Sequence, residues 1–160
     1  MDDELLWGGV IALHARVEQR LSAVLQRQHG LGLSEYRALG HLTLATASGL
    51  RMQELAAKVG LNQSSTTRLA GRLFGAGFAF RDLCDDDKRG VYTVITDAGR
   101  ARHAEARGTY EATLSAALAD AADDPELGVF VRALRTALAQ RDAGTAAVAE
   151  EPVTPRAAAD

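Results

Sequence analysis

Apolar residues recur along the first thirty positions at helical spacing. Leu6, Val10, Leu13, Val17, Leu21 and Val24 are separated by 4, 3, 4, 4 and 3 residues, an a/d-like seam on one face of a long helix over 4–29. Gly30 and Gly32 close it. Ser34 is the expected N-cap of a second helix, with Tyr36, Leu39, Leu42 and Leu44 on its apolar side. Beyond a loop through Ser48 and Gly49, residues Leu55, Ala56 and Val59 mark a short helix that Gly60 ends. Asn62 caps the next helix, which reaches about Phe74 before Gly75 and Gly77 break it. The period then changes. Phe78–Leu83 and Val91–Ile95 are short aromatic and β-branched runs around the polar tip Cys84–Gly90, which predicts a hairpin. Thr96 caps a second long helix to about Ala119, with Tyr110, Leu114 and Leu118 on one stripe. Asp124-Pro125 opens a last helix carrying Leu127, Phe130, Val131, Leu134 and Leu138. From Asp142 onward no periodic face remains, so residues 142–160 are expected to form a disordered tail.

This order predicts a mainly α fold with a small β-hairpin wing, a winged helix-turn-helix flanked by long dimerisation helices. The subunit covers 1–141, with a DNA-binding lobe at about 33–99 and dimerisation helices at about 4–29 and 97–141. The stripes Leu6–Val24 and Leu127–Leu138 are too long for the small lobe to cover, which points to a homodimer. Projecting the helix after Asn62 at 100° per residue turns Thr66, Leu69, Ala70 and Leu73 inward. Ser64, Thr67, Arg68 and Gly71 then face outward, with Gln63 and Arg72 on the flanks. Small hydroxyls, an amide and two arginines on one face can meet base edges and phosphates in a major groove. An ordinary amphipathic helix with a wet polar side has the same pattern, so the helix alone does not decide.

Composition narrows the classes. Apolar residues make up 47% and charged residues 24%, which supports a buried core, and the 5% aromatic content disfavours a sandwich or barrel. The formal net charge of −3 argues at first against nucleic acid. Its distribution reverses the argument. Residues 142–160 hold four acids and one base, leaving 1–141 neutral, while 51–92 carry seven bases and five acids. No apolar run is long enough to cross a bilayer, so no membrane partner is expected. Asp2, Asp3 and Glu4 have the wrong sign for the start of a signal peptide, which points to a cytoplasmic location.

Several segments together resemble the MarR family of winged helix-turn-helix transcriptional regulators. They are Leu33-Ser-Glu-Tyr-Arg-Ala-Leu39, Glu54 to Leu73, Gly77-Phe-Ala-Phe-Arg81, and Asp87-Lys-Arg89 followed by Ile95-Thr-Asp-Ala-Gly99. The last is similar to the family's Asp-x-Arg, five residues, Leu-Thr-x-x-Gly signature, with Ile95 in place of Leu. The resemblance implies a DNA-binding homodimer on a pseudo-palindromic operator. It implies a repressor, not an enzyme, whose DNA affinity a small molecule or other effector modulates. It implies a recognition helix at 62–74, with Gln63, Ser64, Ser65, Thr67, Arg68 and Arg72 as DNA contacts. It implies a wing at 84–90, with Asp87, Lys88 and Arg89 at the duplex. Met52 stands where the family often has Ser or Thr, so the short helix is expected to start poorly capped.

Other chemistry finds less support. Gly71, Gly75 and Gly77 form no dinucleotide fingerprint, and no nucleophile–base pair suggests an enzyme. No cofactor is expected. His14, His29, His41 and His103 lack metal-ligand spacing within any one helix, although folding could gather them with Glu35 or Glu105. Asp82, Asp85 and Asp86 near Cys84 disfavour its thiolate and hence a redox switch. Trp7, His14, Tyr36 and His41 are candidates for an effector pocket, against the plainer reading that they are core and interface residues. The rival to DNA binding is a winged-helix module that binds protein instead.

Overall fold

The computed structural model of the chain describes residues 2–83 and 91–149. The wing tip, with Cys84, Asp87, Lys88 and Arg89, and the terminal residues 150–160 lie outside the described residues. Six helices and three short strands follow one another as α1 (Asp3–His29), α2 (Leu33–Thr43), β1 (Leu50–Arg51), α3 (Met52–Val59), α4 (Gln63–Gly75), β2 (Ala79–Leu83), β3 (Val91–Ile95), α5 (Asp97–Asp123) and α6 (Gly128–Ala149) among those residues. The expected mainly α fold with a winged helix-turn-helix is therefore observed. The described residues divide into two compact units, 16–117 and 2–15 with 118–149.

The unit Arg16–Ala117 is built on leucine. Leu21 and Leu25 of α1, Leu39 and Leu42 of α2, Leu55 of α3, and Leu69 and Leu73 of α4 share one buried cluster, joined by Ala79, Ile95 and Ala106. Each fully buried leucine contributes about 1.5–3 kcal/mol relative to exposure. The sheet has the order β1-β3-β2, antiparallel throughout. Its hairpin pairs Ala79 with Ile95 and Leu83 with Val91, while β1 adds Leu50 and Arg51 opposite Thr93 and Tyr92. Hydrophobic patterning gives no sign of that third strand, because two residues cannot show an alternation.

Two helix caps need correction, and α6 begins at Gly128 rather than at Pro125. Gly32, rather than Ser34, is the N-cap of α2, and its N–H donates to Glu35 Oε2 at 2.9 Å. The cap comes from the carboxylate three residues on, as in half of a capping box. The same device serves α3, where the Arg51 N–H donates to Glu54 Oε2 at 2.8 Å. Met52 is thus the first helical residue, and the start expected to be poorly capped has a partner. Thr96 caps α5 as expected. Its hydroxyl accepts the Gly99 N–H at 3.1 Å and donates to the Gly77 carbonyl at 2.7 Å. A Cβ at Gly99 would run into the Phe78 carbonyl, so this helix start can approach the hairpin only with glycine there.

In the other unit, Asp124 Oδ1 accepts the N–H groups of Glu126 and Leu127 at 2.9 and 3.1 Å, in a turn that leads into α6. Leu127 and Val131 are buried, but Val129, Leu134 and Leu138 are 55%, 57% and 50% exposed. On α1, Leu5, Leu6, Trp7, Val10 and Ile11 are exposed as well. α6 continues to Ala149, so 142–149 are helical where a disordered tail is expected. Alanine needs no apolar face to remain helical once a helix is under way, which is why periodicity gives no sign of this extension.

Candidate nucleic-acid interface

Gly60 makes the turn between α3 and α4. It adopts φ +73° and ψ 33°, and its N–H closes α3 onto the Ala56 carbonyl at 2.9 Å. Leu61 returns a second bond to Ala56 at 3.1 Å, after which Asn62 caps α4 through the Ser65 N–H at 2.9 Å. The left-handed conformation strains any residue with a Cβ, so this turn angle depends on glycine.

The face assignment along α4 holds. Thr66, Leu69, Ala70 and Leu73 are its buried residues. Gln63, Ser64, Thr67, Arg68 and Arg72 are exposed, and Ser65 is half-buried. The hydroxyls are not idle: Ser64 donates to Asn62 Oδ1 and Thr67 donates to the Gln63 carbonyl, each at 2.9 Å. Their protons are engaged by the helix, while their lone pairs remain for a donor such as an amino group on a base edge. Arg68 has no ion-pair or hydrogen-bond partner among the described residues. Arg72 differs, because its Nε donates to Glu35 Oε1 at 2.6 Å. Sequence spacing gives no hint of this pair, whose members lie 37 residues apart.

At the sheet edge, Arg51 Nε donates to the Tyr92 hydroxyl at 2.9 Å, and its guanidinium lies 5.4 Å from the centre of that ring. Neither residue is among the sequence candidates. The lone basic residue ahead of α3 carries no signal until β1 brings it beside β3.

Tyr36 and His41 line a cavity of about 530 Å³ with Arg37, Arg100, His103, Arg107 and Tyr110 among its walls. In the other unit, Trp7 and His14 line a cavity of about 280 Å³ with Val10 and Ile11. In the larger cavity the Tyr36 ring stacks on His103 and on Tyr110, with centroids 4.7 and 4.5 Å away. Burial, then the neighbouring Tyr110 and Glu111, pushes the Tyr36 phenol above its ordinary value. Burial and then Arg107 push the His103 imidazole below its own. Arg107 is held charged by Glu111, whose Oε1 accepts a hydrogen bond from its Nε at 2.7 Å. The α5 members of this wall are not among the effector-pocket candidates, since in the sequence His103 is weighed only as a metal ligand, Tyr110 only as part of an apolar stripe, and Arg107 carries no signal. Among the described residues, no group of three or more histidine, cysteine, aspartate or glutamate side chains is placed to hold a metal ion. No helix among the described residues is long and apolar enough to cross a membrane.

Comparison with known proteins agrees with this geometry. The MarR family profile matches residues 33–91. Among solved structures, Sco3205, a MarR family transcriptional regulator from Streptomyces coelicolor in complex with DNA, is 26% identical with a TM-score of 0.69. That similarity covers 86% of this chain and 85% of the other. The Mycobacterium tuberculosis MarR family protein Rv2887, in complex with salicylic acid, is 25% identical with a TM-score of 0.59, over 79% of this chain and 91% of its own. AbsC, a MarR family transcriptional regulator from Streptomyces coelicolor, shares the fold at 21% identity and a TM-score of 0.68, over 90% of this chain and 97% of its own. No curated protein matches the sequence significantly.

Proposed function

We propose, from the match of residues 33–91 to the MarR family profile, that this protein is a sequence-specific DNA-binding transcriptional regulator, acting as a homodimeric repressor under the control of a small-molecule effector. The observation that carries the reading is the division of α4. Its apolar residues are all committed to the lobe, and Gln63, Ser64, Thr67 and Arg68 are left outward. Such a face offers hydrogen bonding to base edges together with a guanidinium able to make a bidentate guanine contact. The relative solved with DNA supports the same use of the fold. In the wing, Lys88 and Arg89 are assigned to phosphates or the minor groove, and Asp87 to orienting the Arg89 guanidinium.

The second copy is called for by the exposed apolar side chains of α1 and α6, including Trp7 at 64%, Leu134 at 57% and Leu138 at 50% exposure. Light scattering at micromolar concentration should give about 34 kDa, twice the 17.0 kDa chain. A stable species of chain mass with full helicity would rule the dimer out.

The effector site is the cavity lined by Tyr36, His41, Arg37, Arg100, His103 and Arg107. Its stacked rings suit a flat aromatic body, and its guanidinium groups suit an anionic substituent. The relative solved with salicylic acid supports a ligand of that class. The deciding experiment is selection from a pool of randomised duplexes, followed by titration of the recovered duplex across a salt series with and without salicylate. Recovery of a palindromic sequence whose binding weakens with salt is expected. Recovery of no sequence, with no salt-dependent binding, would favour the protein-binding module instead.

A further inference from the structure

Among the polar residues of α4, Arg72 is held from outside its own helix. Its Nε donates to Glu35 Oε1 at 2.6 Å, while Glu35 Oε2 accepts the Gly32 N–H at 2.9 Å. Both oxygens of one carboxylate are therefore committed, one to the start of α2 and the other to the recognition helix. The two partners are unequally placed: the Glu35 side chain is 18% exposed and that of Arg72 is 55% exposed. The carboxylate is the sheltered member and the guanidinium is the presented one. An arginine held through Nε still has its terminal amino groups for a second acceptor.

We propose that Glu35 is a specificity-determining positioning residue for DNA binding, holding Arg72 so that its terminal amino groups meet one operator phosphate in a fixed register. The proposal rests on the DNA-binding reading above. A free arginine beside the groove would seek phosphates on any duplex, since that attraction carries no sequence information. Pairing with Glu35 acts on this attraction in two ways. The negative charge subtracts from the long-range pull that all sequences share. The fixed fork also loses less freedom when the correct phosphate arrives, so ordering offsets less of the contact energy. The pair shifts binding energy from every duplex toward those that place a phosphate where Arg72 already points.

Glu35→Gln tests this with little disturbance of the fold, because glutamine at this position still caps the Gly32 N–H. Binding is measured to the duplex recovered by selection and to a scrambled duplex of equal composition, across the same salt series. Glu35→Gln should raise affinity for the scrambled duplex and lower the selected-to-scrambled ratio by about 3- to 10-fold. In an Arg72→Ala background the same substitution should leave the ratio unchanged. Arg72→Lys, which keeps the charge and loses the fork, should lower the ratio as Glu35→Gln does, and it carries the test if Glu35→Gln melts early. A ratio unaffected by Glu35→Gln, or changed equally with and without Arg72, would show that Glu35 is only a helix cap and overturn the proposal. A wild-type protein that binds no duplex would sink the DNA-binding reading itself, and this proposal with it.

Discussion

α4 and α6 are both amphipathic, yet only one of them completes its burial within the chain. In α4, Leu69 and Leu73 are 0% and 1% exposed, and what remains outside is polar. In α6, Val131 is buried while Val129, Leu134 and Leu138 keep half or more of their surface open. α1 shows both behaviours along its length, with Leu21 and Leu25 at 0% exposure and Leu5 and Trp7 at 75% and 64%. Residues 16–117 therefore bury most of their large apolar side chains within the lobe, with Leu44 and Phe80 as exceptions. The remaining unit carries more apolar surface than isolated side chains on a soluble monomer would explain. The proposed docking on DNA asks for a largely closed polar surface, and the proposed pairing of two copies asks for an open apolar one.

Truncation inside the closed lobe should have the largest effect. Leu69→Ala removes a fully buried side chain and should cost about 2–5 kcal/mol of stability, measured by urea denaturation. Leu134→Asp with Leu138→Asp alters side chains already open in the single chain. That double variant should keep the winged lobe folded and lower the scattering mass from about 34 kDa to the 17.0 kDa of one chain. Should it remain a dimer while Leu69→Ala proves harmless, the contrast between the two helices would be drawn the wrong way round.

The next effect is on binding. Arg68→Ala should cost about 1–3 kcal/mol per half-site and relax preference at one symmetric base position. Arg89→Ala should weaken all duplexes alike and flatten the log–log salt dependence by about one unit for each phosphate that the wing no longer neutralises. Titrating both variants against single-base variants of the selected duplex separates these roles. A change of preference with Arg89→Ala, and none with Arg68→Ala, would exchange the parts given to wing and helix.

What could be read from the sequence follows the same contrast. Regular periodicity exposes the long helices, and local chemistry exposes their punctuation: Gly60 for the left-handed turn, Asn62 for the cap of α4, Thr96 for that of α5. The inner face of α4 follows from 100° per residue because the helix packs on one side only. The failures have other physical causes. Glu35 and Glu54 cap from inside their helices, so a search for small polar residues ahead of each helix misplaces the cap of α2 and finds none for α3. β1 is too short for any period. The Glu35–Arg72 pair, the Arg51–Tyr92 contact and the stack of Tyr36 with His103 and Tyr110 join distant segments, which no local pattern encodes.

The smallest effect concerns the large opening lined by Tyr36 in the closed lobe, and His103 reports on it. Burial is the main cause of its lowered pKa and Arg107 the second, so the folded protein resists a proton that the unfolded chain accepts at about pH 6.5. As pH falls through 6.5 toward the folded-state value, the unfolded chain binds more protons, and the contribution of this histidine to stability declines. Above 6.5 both states are neutral and the contribution is constant. An anion in the cavity acts in the opposite sense, because it favours the imidazolium and offsets the Arg107 charge. Salicylate should therefore raise the His103 midpoint and bind more tightly as pH drops through the same window. Following the His103 ring by NMR, with His103→Gln for assignment, measures both shifts. Arg107→Gln should raise the midpoint in the free protein yet leave it below 6.5, since burial persists. A midpoint at or above 6.5 in the free protein would mean that water fills the stack around Tyr36 and that the lobe is more open there than its core.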